Sequence, residues 1–213
     1  MNIFEYGNKN SKNVLIQPVG DHDLSGINNE ILMLNEYTED YHLLAVKVDD
    51  WNVDLSPWKA PAVFGDQGFG SGAATTFAEI TKLCRDEARD YYIGGYSLAG
   101  LFVLWTAYQT DVFKGVAAVS PSVWFPGFID YMKANDSKVD KIYLSLGDKE
   151  AKTRNAVMST VADRIEEAYE LLKIQGVITT LEWNRGNHFK EPDLRMAKGF
   201  GWMLGHISGN LQL

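Results

Sequence analysis

One stretch of the chain decides its fold: Tyr91-Tyr92-Ile93-Gly94-Gly95-Tyr96-Ser97-Leu98-Ala99-Gly100-Leu101-Phe102-Val103-Leu104-Trp105. A strand-like run of aromatic and β-branched residues leads into paired glycines, and an apolar helix-like run follows Ser97. The pattern predicts a nucleophile elbow, a sharp turn between strand and helix that presents a serine hydroxyl at the edge of a sheet. Gly95 lies two residues before Ser97, and Ala99 replaces the usual glycine two residues after it. The alternative is a glycine-requiring turn in which Ser97 only caps the helix.

Strand-like and helix-like runs alternate on both sides of this turn, which predicts a mostly parallel sheet covered by helices on both faces. The predicted strands are Val14–Val19, His42–Val48, Tyr91–Tyr96, Gly115–Ser120, Lys141–Leu146 and Val177–Trp183, with Ile3–Tyr6 as a weaker edge strand. The predicted helices are Gly26–Glu36, Ala74–Ala88, Leu98–Gln109, Thr153–Gln175 and Pro192–Ile207. An irregular stretch over residues 49–72 exceeds the length of an ordinary connection, which indicates a functional loop.

The composition favours one domain and excludes several classes of protein. The chain has 213 residues, 46% of them apolar and 23% charged, which is typical of a globular domain with its own core. Its 20 basic and 28 acidic residues give a net charge of −8, which disfavours nucleic acid as a partner. The single Cys84 excludes an internal disulfide. Neither a membrane span nor a secretory signal is visible, so we expect a cytoplasmic protein without membrane contact.

A serine nucleophile needs a base within hydrogen-bond reach and a third group that orients the base. His188 follows the strand predicted at Val177–Trp183, which places it at the same carboxyl edge of the sheet as Ser97. The preceding strand runs into Gly147-Asp148-Lys149-Glu150, and the resulting order serine, acid, histidine is that of α/β-hydrolases. We prefer Glu150 as the acid because its spacing from the strand lets the chain turn back towards His188. Asp148 is the alternative acid.

Acyl transfer also requires hydrogen-bond donors for the developing oxyanion. The backbone N–H of Leu98 directly follows the nucleophile, and we expect a second N–H, that of Asp21, from the loop Gly20-Asp21-His22-Asp23. The side chains of this loop are of metal-ligand type, but no closing ligand is evident, so we expect no metal. Aromatic residues in the two irregular stretches could line a pocket or pack beneath the loops. They are Trp51, Trp58, Phe64, Phe69, Trp124 and Phe125. For His42 and His206 we expect packing or surface roles.

The chain resembles the esterase D-like branch of the α/β-hydrolases, which includes S-formylglutathione hydrolases, siderophore esterases, feruloyl esterases and mycolyltransferases. The resemblance extends from about Val14 to the last helix. It rests on Gly94–Leu101, Ser120–Trp124, Ser145–Glu150 and Gly186–Phe189. It implies that Ser97, Glu150 and His188 are nucleophile, acid and base, that residues 120–124 line the acyl side, and that residues 51–58 form a loop near the site. The chain is shorter than most members, which implies little or no cap domain.

We therefore expect a single three-layer α/β-hydrolase domain over residues 1–213. It would cleave a carboxylic ester or thioester of a small molecule through an acyl-enzyme, without a cofactor. We expect Trp124, His22 and Trp58 to contact the substrate. Three alternatives stay open: a siderophore lactone as substrate, an acyltransferase in which an alcohol replaces water, and a non-catalytic binding protein. The oligomeric state stays open as well, with a homodimer as one possibility.

Overall fold

The computed structural model describes residues 2–63 and 65–205 of the chain. Its strands form one sheet in the order β1-β3-β2-β4-β5-β6-β7, in which β1 is antiparallel to β3 and the other neighbours are parallel. The strands are β1 Asn2–Gly7, β2 Asn13–Val19, β3 His42–Lys47, β4 Asp90–Tyr96, β5 Phe113–Val119, β6 Lys141–Gly147 and β7 Ile178–Asn184. Every predicted strand is present, and no end is displaced by more than two residues.

Helices cover both faces of the sheet. They are α1 Asp21–Asn35, α2 Trp51–Asp54, α3 Ala73–Thr81, α4 Leu98–Thr106, α5 Phe128–Ala134, α6 Val161–Ile174 and α7 Pro192–Met203. Neighbouring strand residues point to opposite faces: Leu15 packs in the core under α1 and α7, whereas Ile16 packs in the core under α3 to α6. The predicted three-layer α/β architecture is therefore confirmed.

The start of α1 differs from the prediction in a way that affects the site. The sequence predicts that this helix begins at Gly26, but α1 begins at Asp21. The reason is a cap at the first turn, in which Asp23 Oδ2 accepts a hydrogen bond of 2.8 Å from the N–H of the N-cap residue Gly20. The segment expected to be a loop is thus the first helical turn after β2.

Other helix boundaries were also predicted imperfectly. α6 begins at Val161 and not at Thr153, because Asn155 Oδ1 accepts hydrogen bonds from the N–H groups of Val157 and Met158 and holds a turn there. α3 ends at Thr81 and not at Ala88. The short helices α2 and α5 were missed, since neither contains enough turns to show a period. α7 ends at Met203, before its predicted end at Ile207, which lies outside the described residues.

Within the described ranges, no helix combines the length and the apolar character needed to cross a membrane.

Candidate active site

The turn at Ser97 has the backbone geometry of an elbow. Ser97 lies between β4 and α4 with φ 60° and ψ −119°, a conformation that few residues other than glycine adopt. A Cβ atom on Gly95 would lie 2.6 Å from the backbone of Ala99, and one on Gly100 would lie 3.0 Å from the carbonyl oxygen of Gly95. Strand and helix therefore approach too closely for side chains at these two positions. Hydrogen bonds to β5 and to the loop after it hold the turn, since the Ser97 N–H donates to Val119 and the Ser97 carbonyl accepts from Ser122.

Three side chains from distant parts of the chain meet at this turn. His188 Nε2 lies 3.0 Å from Ser97 Oγ, and His188 Nδ1 lies 2.7 Å from Glu150 Oε2. Ser97 is presented by the β4–α4 turn, Glu150 by the segment after β6, and His188 by the loop after β7. The side chain of Glu150 is 4% exposed and that of His188 is 25% exposed. An acid buried behind a partly exposed imidazole is the arrangement in which the acid can orient the base.

The second oxygen of Glu150 has three further hydrogen-bond partners. Oε1 accepts from the Gly147 N–H at 2.7 Å, from Ser120 Oγ at 2.8 Å and from the Arg195 guanidinium at 2.8 Å. Burial on its own raises the pKa of Glu150, but the hydrogen bonds from His188, Gly147 and Ser120 outweigh burial and hold the pKa below its usual value of 4.5. The carboxylate is therefore kept ionised towards His188.

Arg195 is a site residue that the sequence analysis missed. Its side chain is 1% exposed, and it also donates hydrogen bonds to Tyr96 Oη at 3.2 Å and to the Asn187 carbonyl at 3.0 Å. Tyr96 in turn donates to the backbone carbonyl of His188 at 2.6 Å. Arg195 thus connects the acid with the loop that presents His188. The available signal was a single arginine on the apolar face of α7, between Leu194 and Met196.

The structure also places the alternative acid and the two residues expected to donate to the oxyanion. The alternative acid Asp148 makes a different contact: its Oδ1 accepts from the Gly186 N–H at 2.7 Å and so braces the loop after β7. Leu98 and Asp21 are the first residues of α4 and α1, where a backbone N–H has no partner inside its own helix. Asp21 places its carboxylate 2.6 Å from Lys47 Nζ.

An apolar cavity of about 380 Å³ opens at Ser97 and His188. Its wall includes two predicted aromatic residues of the 49–72 stretch, Trp51 and Phe69, and the predicted Trp124. The segment that begins α6 supplies Val161. Below, "the apolar cavity" means the space bounded by Trp51, Phe69, Pro121, Trp124, Met158 and Val161.

A second cavity, also of about 380 Å³, meets Ser97 and His188 from the side of α1 and α7. Below, "the acidic cavity" means the space bounded by Gln17, His22, Asp23, Glu30 and Asp193. The predicted substrate contact His22 lies in its wall, with its ring 4.7 Å from that of Trp51. Phe189, whose side chain is largely exposed, borders both cavities.

Trp58, the remaining predicted substrate contact, has a different environment. Its Nε1 donates to the Pro126 carbonyl at 2.9 Å, and its ring packs against Phe125, Phe128 and Tyr131. Trp58 therefore fastens the long loop to α5 and does not face Ser97. His42 pairs with Glu5 on β1, away from the site. Phe64 and His206 lie outside the described residues. In the part of the chain that the structure describes, no group of three or more His, Cys, Asp or Glu side chains is placed to hold a metal ion.

The sheet order, the elbow and the meeting of Ser97, Glu150 and His188 define an α/β-hydrolase fold. Solved structures of similar fold are a siderophore hydrolase EstA from Aspergillus nidulans, an enterobactin esterase FES from Shigella flexneri and an acyl-protein thioesterase 2 from Zea mays. Their sequence identities to this chain are 16%, 12% and 13%, with TM-scores of 0.68, 0.67 and 0.59. The aligned regions cover 98%, 95% and 96% of this chain and 95%, 55% and 98% of the respective neighbours.

The chain thus spans little more than half of the Shigella enzyme. No family model matches the chain, and no curated protein matches its sequence. At these identities the likeness establishes the fold, and the chemistry has to be argued from the residues of the site.

Proposed function

We propose that this protein is a serine hydrolase that cleaves a carboxylic ester or thioester of a small molecule through an acyl-enzyme. The observation that supports the proposal is the continuous chain of hydrogen bonds from Ser97 Oγ to His188 Nε2 at 3.0 Å and from His188 Nδ1 to Glu150 at 2.7 Å. Both distances are within the reach that proton transfer requires. A binding protein would not need all three groups in this order.

In the first half of the reaction, Ser97 Oγ attacks the carbonyl carbon while His188 Nε2 takes the hydroxyl proton. The tetrahedral intermediate collapses, and His188 gives the same proton to the leaving alcohol or thiol. In the second half, water attacks the acyl-enzyme while His188 takes a proton from the water. The carboxylic acid product then leaves, and the Ser97 hydroxyl is restored. Glu150 accepts the His188 Nδ1–H throughout, which fixes the tautomer and stabilises the imidazolium.

The developing oxyanion would accept hydrogen bonds from the N–H groups of Leu98 and Asp21. Both groups lie at helix N-termini, where the free amides and the helix dipole favour negative charge. Each such donor typically contributes about 3 kcal/mol to the transition state. We expect Trp124 to contact the apolar part of the substrate, because it forms a wall of the cavity at Ser97.

Covalent labelling tests the proposal most directly. A fluorophosphonate should label Ser97 in the wild-type protein, and mass spectrometry should find no adduct in Ser97→Ala. The same variant should lose at least about 10⁴-fold in kcat on 4-nitrophenyl esters. Ser159→Ala, which removes a half-buried hydroxyl in the 3-10 turn before α6, is a matched control and should keep full activity. A folded wild-type protein that is neither labelled nor active would favour a non-catalytic binding protein.

A siderophore lactone is a second candidate substrate, because two structures of similar fold are described as a siderophore hydrolase and an enterobactin esterase. The same catalytic groups would serve such a reaction. Hydrolysis of enterobactin with a higher kcat/KM than any simple ester would favour this candidate, and the absence of linear products would exclude it. Addition of an alcohol as acyl acceptor distinguishes a transferase, since the new ester would form at the expense of the free acid.

A further inference from the structure

The acidic cavity contains three carboxyl groups that the proposed hydrolysis does not require. Asp23 and Glu30 on α1 and Asp193 on α7 lie in its wall. His22 and His188 are the basic side chains among the described lining residues, and His22 Nε2 lies 3.3 Å from Asp23. Carboxyl groups in their ionised form repel anions and attract a cation.

Two buried side chains of this cavity lack hydrogen-bond donors. Gln17 and Glu30 are 2% and 4% exposed, and Gln17 Nε2 donates to Glu30 Oε2 at 3.1 Å. The remaining oxygens, Gln17 Oε1 and Glu30 Oε1, have no partner among the described residues. A buried acceptor without a donor costs about 1–3 kcal/mol. When Glu30 is ionised, the partner that these two oxygens lack must therefore supply N–H or O–H groups.

The sequence setting of these two residues supports a role in binding. Gln17 interrupts the otherwise apolar centre of β2, and Glu30 lies on the buried face of α1 with Ile27 and Leu34. Two apolar side chains would pack here at lower cost, because a buried polar network with missing partners is less stable than an apolar core. A bound donor group would remove this cost.

We propose that the acidic cavity binds the protonated amine of the substrate, while the scissile ester lies at Ser97 and an apolar group occupies the apolar cavity. An ammonium group fits because it offers three donors and no acceptor. The inference rests on the proposed esterase function, because Ser97 and His188 border both cavities. Burial, reinforced by the carboxylates of Asp23 and Asp193, raises the pKa of Glu30 to about 8, and a bound cation would lower it again.

Two series of esters test this inference. The first contains n-hexyl esters of 6-aminohexanoate, 6-hydroxyhexanoate and adipate, with the variable group on the acyl side. The second contains hexanoyl esters of 4-(aminomethyl)benzyl alcohol and of its hydroxymethyl and carboxyl counterparts, with the variable group on the alcohol side. In one series we expect the ammonium ester to exceed the hydroxyl ester at least tenfold in kcat/KM, with the carboxylate ester lowest. The series with the preference identifies which part of the substrate enters the acidic cavity.

Substitutions in the acidic cavity test whether it causes the preference for ammonium esters. Glu30→Gln keeps the size of the side chain and should reduce the preference to less than threefold, and Asp193→Asn should reduce it partly. Glu166→Gln, on the exposed side of α6 under the other face of the sheet, is the matched control and should keep the preference. Equal kcat/KM for ammonium and hydroxyl esters in both series, or a preference that survives Glu30→Gln, would overturn the inference.

A binding measurement separates this inference from the proposed function. Calorimetry with Ser97→Ala and hexylammonium should give a Kd at least tenfold lower than for the same variant with Glu30→Gln added. Hydrolysis of the hydroxyl esters without an ammonium preference would refute the amine site alone. Hexylammonium binding by a wild-type protein that cleaves none of the esters would instead refute the hydrolase. Circular dichroism on every variant confirms that it is folded.

Discussion

The two cavities that meet at Ser97 and His188 have equal volumes, about 380 Å³ each, and opposite chemistry. Indole and phenyl rings bound the apolar cavity, whereas carboxylates and a buried amide bound the acidic cavity. The two cavities also belong to different sides of the sheet. Helices α1 and α7 supply the acidic walls, whereas α2, the loop before α3, the loop after β5 and the start of α6 supply the apolar walls. Ser97 and His188 border both cavities, so a change in one wall should alter which substrates are accepted without altering the proposed chemistry.

The largest effect should come from Glu150, which pairs with the histidine that both cavities share. Glu150→Gln should lower kcat about 10³- to 10⁴-fold on every ester, because an amide no longer fixes the imidazole tautomer or stabilises its charge. Asp148→Asn should cost less than about tenfold, since Asp148 braces only the Gly186 N–H. Steady-state kinetics on a 4-nitrophenyl ester compares the two variants. A larger loss in Asp148→Asn would reverse the assignment of the acid.

The next effect should come from Arg195, which acts through Glu150 and not on the substrate. Arg195→Met should lower kcat about 100-fold with little change in KM, because Glu150 loses a buried cation and the 185–187 loop loses its hydrogen bonds. Arg195→Lys restores the charge without the fork of donors and should recover part of kcat. A rise in KM with unchanged kcat would instead indicate a substrate-binding role.

Ser97 could be predicted from the sequence and Arg195 could not, because the signal for Ser97 is local and the contacts of Arg195 are long-range. The elbow is local: glycine at 95 and 100, a strand before and a helix after are all visible within fifteen residues. The seven strands were predictable for the same reason, since each shows its own apolar pattern. The meeting of Ser97 with His188 and Glu150 could be inferred because parallel strands place their following loops at one sheet edge.

Long-range side-chain partners leave no such signal. In the sequence Arg195 is one arginine in a predicted helix, and only the structure shows its hydrogen bond to Glu150. Gln17 and Glu30, which also form a hydrogen bond, are thirteen residues apart in different elements. The start of α1 at Asp21 was not predicted, because the sequence favoured a start at Gly26. The actual start depends on the hydrogen bond that Asp23 accepts from the Gly20 N–H. The acidic cavity was therefore not predicted, although His22 in its wall was.

Glu30 in the acidic cavity should make the free energy of unfolding depend on pH. Because its pKa is about 8 in the folded state and near 4.5 when unfolded, the folded protein holds the extra proton and stability falls as pH rises between these values. Gln17, His22, Asp23, Asp193 and Tyr41 are the neighbouring polar or titratable groups. Between pH 6 and pH 8, wild type should lose about 2 kcal/mol relative to Glu30→Gln in urea unfolding. Parallel pH curves for the two proteins would contradict the raised pKa, and Glu166→Gln should follow wild type.

The smallest effect should come from the apolar cavity. Trp124→Ala should lower kcat/KM about tenfold for hexanoyl esters and less than about threefold for acetyl esters, because only the longer chain reaches the lost indole surface. The preference for ammonium esters should be unchanged, since Trp124 is not among the described residues that border the acidic cavity. Trp202→Ala is a suitable control, because Trp202 packs over Lys141 at the opposite end of the sheet. An equal loss on acetyl and hexanoyl esters would mean that Trp124 supports the catalytic turn and not the chain of the substrate, and the two cavities would then no longer be independent.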